Sequence, residues 1–331
     1  MIRRTFIAGL CAGASPLAGK AQPAGKTYRI GFVFPNAPVA DMTGDNPPNR
    51  YAAAFVHALR GLGYVEGRNL VLERRSAEGK VERYESITAE LLARNVDLIV
   101  GASDAWGQAA KRVTSTVPII VAGMISPLQV GIVDSLARPG GNVTGFTFQA
   151  GPEIEGPRLQ MLLEAVPQVR RLAYLGTQSD WEGAEGNVVR TMAQTRGVSL
   201  LHADFAPTNY TSGLESIARD KAEAIFASRN GVHYVNRHAL TTFMLAQRLP
   251  SIHAWRDVVE AGGLLSYASD YADILRRAAG YVDAILKGAK PENLPVQQPV
   301  KFELVINLKT ATTLGLALPP TLLARADEVI E

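Results

Sequence analysis

The chain is 331 residues long, 47% hydrophobic and 20% charged, which is enough material to bury the cores of two ordinary domains. Its formal net charge is +3, but three cations lie in the first 21 residues, leaving 31 basic against 31 acidic side chains beyond them. Such a balance, with no long basic cluster, argues against nucleic acid as a partner.

The chain opens with an export signature. Arg3 and Arg4 precede the apolar run Phe6–Ala14, and the small residues up to Gly19-Lys20-Ala21 offer a cleavage site. The run is too short to span a membrane, so residues 1–21 are expected to be a removed signal peptide and the protein periplasmic. Arg3-Arg4-Thr5-Phe6-Ile7 fits a twin-arginine signal as well as a general secretory one. The single cysteine, Cys11, lies inside this segment behind Leu10, where lipidation would want a small residue, so no lipid anchor is expected. The rest of the chain has no thiol for a disulfide, for catalysis or for metal binding. Export also leaves ATP, NAD and coenzyme A behind, so no cofactor is expected.

Beyond the signal, strand and helix alternate. Ile30–Phe34 reads as a buried parallel strand, and Asn46-Pro47-Pro48 as the cap and first turn of a helix striped by Tyr51, Phe55, Leu59 and Leu62. Further strands follow at Leu70–Glu73, Asp97–Gly101, Pro118–Ala122 and Val143–Phe148. Helices are expected near 84–92, 105–115 and 128–137. A second series starts near Pro152, with strands at Arg171–Leu175, Ser199–Ala203, Ala224–Ala227, Ser251–Ala254 and Gly263–Tyr267. Its helices fall near 153–165, 183–196, 210–220, 232–248 and 256–261. A long amphipathic helix over Tyr271–Leu286, a proline-punctuated stretch and a strand at Phe302–Asn307 complete the chain with terminal helical segments. Two such series imply an α/β protein of two doubly wound parallel-sheet lobes.

Several segments carry a resemblance. They include Leu59–Gly67, Leu136–Gly145, Ala254–Asp257, Glu260–Tyr267, Arg276–Asp283, Ile285–Pro291 and Phe302–Ala311. Together they resemble the ABC-transporter substrate-binding family that includes tryptophan- and tyrosine-type binding proteins. The resemblance implies a type I periplasmic-binding fold with a three-strand hinge. Its crossovers would lie near Gly145–Pro152, Tyr267–Tyr271 and Pro291–Val300. One lobe would comprise residues 27–147 and 270–295, the other 148–269 and 296–331. It further implies a monomer that closes on a small-molecule ligand, an amino acid or related carboxylate, and docks transiently on an ABC permease. No enzymatic activity is implied. The chain departs from relatives in two loops: Gly101-Ala102-Ser103-Asp104-Ala105-Trp106 replaces a Gly-Thr-Pro type turn, and Ile125-Ser126-Pro127 replaces Gly-Asp-Pro.

In open α/β sheets ligands sit beyond the carboxyl ends of the strands. That rule selects Asn36, Ser103, Asp104 and Ser126 from the first lobe and Gln149 from the first crossover. From the second it selects Thr177, Gln178, Asp180, Ser228, Arg229, Tyr267 and Asp270. Ser103 and Ser126 could hold a ligand carboxylate or simply cap helices. Asp104 and Asp180 could meet an ammonium or complement a helix dipole. Arg229 could pair a second carboxylate or lie solvated. Trp106, Trp181 and Tyr267 could stack on a flat ligand body, whereas Trp255 is expected in the core.

Signals for enzymes are weak. Gly61, Gly63 and Gly67 follow a helix with the wrong spacing for a dinucleotide loop, and no Gly-x-Ser-x-Gly elbow occurs. His233 and His238 are five apart, on different helix faces, which suits no shared metal. A sensor-type receptor and, less well supported, a secreted α/β hydrolase stand as alternatives.

Overall fold

The computed structural model describes residues 26–148, 151–206 and 208–331; the expected signal and Gln149 lie outside them. Lobe I begins with β1 (Tyr28–Phe34), α1 (Arg50–Gly61), β2 (Leu70–Ser76), α2 (Tyr84–Ala93), β3 (Leu98–Ala102), α3 (Asp104–Val113), β4 (Ile119–Met124) and β5 (Val143–Thr147). Its strands form one parallel sheet in the order β2-β1-β3-β4-β5. Every residue of β3 is buried, as a strand covered on both faces requires.

Lobe II follows with α4 (Glu155–Ala165), β6 (Arg171–Leu175), α5 (Gln178–Glu182), α6 (Ala184–Thr195), β7 (Ser199–Ala203), α7 (Thr211–Arg219) and β8 (Ala224–Ala227). It continues with α8 (Val232–Val235), α9 (Arg237–Ala246), β9 (Ser251–His253), α10 (Arg256–Glu260) and β10 (Leu265–Ser269). The chain then crosses to lobe I for α11 (Tyr271–Leu286). It returns as β11 (Phe302–Asn307), α12 (Leu308–Leu314), α13 (Pro320–Leu323) and β12 (Glu328–Ile330). The second sheet has the order β12-β11-β10-β9-β8-β6-β7.

That sheet departs from the expected parallel arrangement at one junction. β10 and β11 are antiparallel, with Ser269 opposite Phe302. β10 ends at the hinge and β11 starts there, so the returning chain has to run the other way. Three segments lie side by side where the lobes join. Gln297 N–H donates to Gly145 O at 3.0 Å, Thr147 N–H donates to Gln297 O at 2.9 Å, and Asp270 N–H donates to Lys301 O at 2.9 Å.

Each sheet is covered on both faces. In lobe I, Phe32 and Phe34 pack with Phe55 and Leu59 of α1 and with Ile274, Ala278 and Val282 of α11. Val33, Ile99 and Val121 face α2 and α3 on the other side. Lobe II repeats the plan, with Leu172, Tyr174 and Phe226 against α4 and α6, and Ala173, Leu175 and Ile225 against α7 and α9. Burying such a side chain stabilises by about 1.5–3 kcal/mol.

Three local expectations shift. α1 begins at Arg50, with Asn49 as its cap accepting from Tyr51 N–H and Ala52 N–H, so the prolines precede the helix. Residues 128–137 form turns, not a helix: Ile132 N–H returns to Pro127 O, and Gly131 adopts φ +68°. The expected helix over 232–248 breaks at Asn236 into α8 and α9.

Candidate functional site

A cleft of about 530 Å³ separates the lobes. Its lobe I wall comes from the segments that follow β1, β2 and β3 and from the end of β4. Its lobe II wall comes from those that follow β8 and β9 and from the end of β10. The strand-end rule therefore holds for both halves.

A chain of aromatic rings lines the cleft. Tyr51 meets Tyr271 edge-on at 4.9 Å, and Tyr271 meets Phe148 at 5.8 Å. Phe148 stacks on Trp255 at 4.7 Å with 5° between planes, and Trp255 lies 5.8 Å from Tyr234. Tyr234 OH then receives a hydrogen bond from Asn36 Nδ2 at 3.0 Å, which links the two lobes. Tyr271 reaches its place because Gly123, at φ +92°, has no side chain; a Cβ there would stand 2.9 Å from the ring. Its hydroxyl donates to Ala122 O at 3.0 Å, and burial raises its pKa.

Two polar groups line the cleft, one from each lobe. In lobe I, Ser103 caps α3, its hydroxyl accepting from Trp106 N–H at 3.3 Å. It holds φ +82° and ψ 151°, a strained conformation for a residue with a side chain. The N–H groups of Asp104 and Ala105 that follow have no intrahelical acceptor. In lobe II, Asp257 sits in the first turn of α10 beside Trp255. It has no ion-pair partner among the described residues; it accepts from its own backbone N–H, receives a long contact from Tyr51 OH at 3.4 Å, and feels the charge of Arg237. Burial pushes its carboxyl above the ordinary range. Arg256 beside it is committed to Glu260, Glu303 and Glu328.

The residues singled out by sequence separate clearly. Asn36 and Ser103 line the cleft. Asp104 does not: its carboxylate accepts from Ile125 N–H at 3.0 Å and Ser126 N–H at 2.8 Å, tying the β3 loop to the β4 loop. Ser126 is thereby held by its backbone, and Ile125 takes the lining position. Trp106 lies fully buried, its ring against Gly101, where a Cβ would stand 2.7 Å from it.

In lobe II, Thr177 and Asp180 cap α5 reciprocally, and Asp180 also receives Ser228 Oγ at 3.2 Å and Asn230 Nδ2 at 3.0 Å. Gln178 turns outward to Glu182. Arg229 pairs with buried Glu155 at 2.9 Å and with Glu185. Trp181 stacks on His202 at 4.7 Å. Tyr267 faces away from the cleft, because alternation gives the cleft face of β10 to Ser266 and Ala268. Asp270 caps α11 and pairs with Lys301 at 3.0 Å.

Ser228, His233 and Asp180 superficially suggest a hydrolase. Ser228 Oγ lies 3.0 Å from His233 Nε2, but Nδ1 faces Tyr210 OH at 2.9 Å and the carboxylate bonds the serine instead of the imidazole. Ser228 is 2% exposed and His233 0%, so no substrate reaches them. The arrangement lacks the orienting carboxylate a triad needs.

Sequence reasoning missed the lining set of Tyr51, Tyr234, Trp255, Asp257 and Tyr271. Trp255 was expected in the core, yet it is half-buried and lines the cleft. The signal was available: Trp255 and Asp257 follow β9, where the strand-end rule applies as it does after β8.

Known proteins resemble this chain in sequence and fold. The family model for ABC transporter substrate binding protein matches residues 48–330. The chain is 21% identical over 263 residues to a tyrosine-binding protein of Clostridioides difficile (strain R20291), covering 79% of this chain and 75% of that protein. A conserved domain protein from Vibrio cholerae O1 biovar eltor str. n16961 superposes with a TM-score of 0.74 at 25% identity, over 92% of this chain and all of the other. The ABC domain in complex with L-Trp from Streptococcus pneumonia gives a TM-score of 0.74 at 22% identity, also over 92% of this chain and 100% of its own. The two lobes have the type I periplasmic-binding fold. The chain belongs to the ABC transporter substrate binding protein family and is a solute-binding receptor.

Proposed function

We propose that the protein captures an amino acid with a flat, largely apolar side chain between its lobes outside the cytoplasm. The closed form is then presented to a membrane permease. The observation that carries this reading is the pairing of Ser103 and Asp257 on opposite walls of an aromatic-lined cleft. A carboxylate suits Ser103 Oγ and the free N–H groups that open α3, where the helix dipole is positive. An ammonium suits Asp257, a buried carboxylate with no ion pair among the described residues and only the more distant charge of Arg237 acting on it. A zwitterion bridging the two favours the closed state over the open one, which is what drives closure. Nothing in this reading requires a covalent step or a cofactor. Relatives that bind tyrosine and L-Trp support the same ligand class.

A thermal-shift screen of the purified protein against the amino acids and their deaminated analogues tests the reading. A ligand at a hundred times its dissociation constant adds about 2.7 kcal/mol of stability. At least one amino acid with a flat side chain raises the melting midpoint if the reading is right. Stabilisation by sugars or dicarboxylates alone removes it.

A further inference from the structure

The Trp255 ring in the cleft wall is held at two points. Its face lies on Phe148, with ring centroids 4.7 Å apart and 5° between planes, and its Nε1–H donates to Asn230 O at 3.3 Å. The stack fixes the plane of the ring, and the hydrogen bond fixes where its N–H edge points. Asn230 is in turn tied down through its side chain. Its Nδ2 donates to Asp180 Oδ2 at 3.0 Å, and its Oδ1 accepts from Val232 N–H at 3.0 Å. Asp180 Oδ2 also accepts from Thr177 N–H at 2.9 Å and from Ser228 Oγ at 3.2 Å. One carboxylate oxygen thus gathers the loops that follow β6 and β8. Neither Asp180 nor Asn230 lines the cleft, yet the set they form ends on the carbonyl that holds a ring of its wall.

We infer that Asp180 and Asn230 are positioning residues of the receptor: Asp180 holds Asn230, and the Asn230 carbonyl holds the Trp255 indole in the orientation in which it meets the ligand. The inference rests on the amino-acid reading above and adds to it residues that set one wall of the site without touching the ligand. A ring that is already ordered need not be ordered on binding. Releasing one such side chain should therefore weaken the ligand by about three- to tenfold.

Two readouts test this, one of them without ligand. The chain has three tryptophans, and their indole N–H resonances can be read by NMR, with that of Trp255 assigned by its loss in Trp255→Phe. Asn230→Ala and Asp180→Ala should each move the Trp255 resonance upfield, while that of Trp106, in the lobe I core, stays in place and reports that the chain is folded. Asp180→Asn can set its amide oxygen where Oδ2 stands and should leave the Trp255 resonance where it is. In calorimetry with L-tryptophan and L-tyrosine, Asn230→Ala should weaken binding by about three- to tenfold. In the Trp255→Phe background, which lacks the donor, the same change should shift affinity by less than about twofold. Equal losses in the two backgrounds overturn the inference, since a merely structural residue gives that result. A Trp255 resonance unmoved by both alanine variants, with the ligand still bound tightly, sinks the inference alone. If neither amino acid binds the unaltered protein, the amino-acid reading itself fails and the inference falls with it.

Discussion

Asn36 Nδ2 and Tyr234 OH are joined by a 3.0 Å hydrogen bond that runs from one lobe to the other. Tyr51 OH approaches Asp257 Oδ2 at 3.4 Å, and Arg50 lies 3.8 Å from Glu303 and 3.9 Å from Glu260. These contacts all cross the cleft and tie its two walls together. Combining Asn36→Ala with Tyr234→Phe removes the shortest of them and favours the open state. Ligand affinity should drop by about three- to tenfold, in line with one net hydrogen bond. Small-angle scattering of the empty double variant should give a larger radius of gyration than the parent. Unchanged affinity and radius together would assign the contact no role in closure.

Asp257→Asn removes the proposed ammonium partner while keeping the side chain's shape. A hydrogen bond to a charged group is worth about 1.5–3 kcal/mol, so amino-acid affinity should fall by about ten- to a hundredfold. A deaminated analogue carries no ammonium, and its affinity should hold or rise. Equal losses for both ligands, read by calorimetry, would make Asp257 a structural residue.

Trp106 and Trp255 should respond oppositely to truncation. Trp106 is 0% exposed in the lobe I core, and Trp106→Ala should cost about 3–5 kcal/mol in denaturant unfolding. Trp255 is half-buried against Phe148 at the cleft, so Trp255→Ala should weaken the ligand by about tenfold or more while costing less stability. The reverse ranking would return Trp106 to the ligand.

Acid should loosen lobe II through its buried histidines. Burial holds the His233 imidazole down at about 4 against an ordinary 6.5, and depresses His253 in the same direction. Between those pH values the unfolded chain binds the proton and the folded one does not, so stability is full above about pH 6.5 and is lost as pH falls towards 4. Each unit is worth about 1.4 kcal/mol, which for His233 alone amounts to on the order of 3 kcal/mol. Asp257 and Glu303, raised by burial, act with the opposite sign. Comparing melting midpoints of the parent and His233→Gln from pH 7.5 to 4.5 isolates the histidine: the variant's slope should be shallower. Parallel slopes would mean His233 is not held neutral.

The two-lobed plan was legible because parallel strands covered on both faces read as apolar runs; Leu98–Ala102 and Ala224–Ala227 are buried throughout. The reversal of β11 was not, since direction follows from where the chain re-enters the sheet, which no local pattern records. Ser103 was legible as a strand-end hydroxyl that opens a helix. Thr177, Asp180 and Ser228 share that signature, yet they satisfy one another, with Asn230 completing the set. Composition cannot distinguish a polar loop awaiting a ligand from one that has found partners within itself. Trp106 illustrates the same limit: its burial depends on the missing side chain at Gly101, a tertiary fact. Trp255 and Asp257 were missed within a run whose neighbours, Val258 and Val259, are core.

The most direct test is a crystal structure of the protein with a stabilising amino acid bound. The account predicts density between the lobes, with the carboxylate on Ser103 and the start of α3 and the ammonium on Asp257. An amino acid bound on an outer face, with the cleft left to solvent, would contradict it.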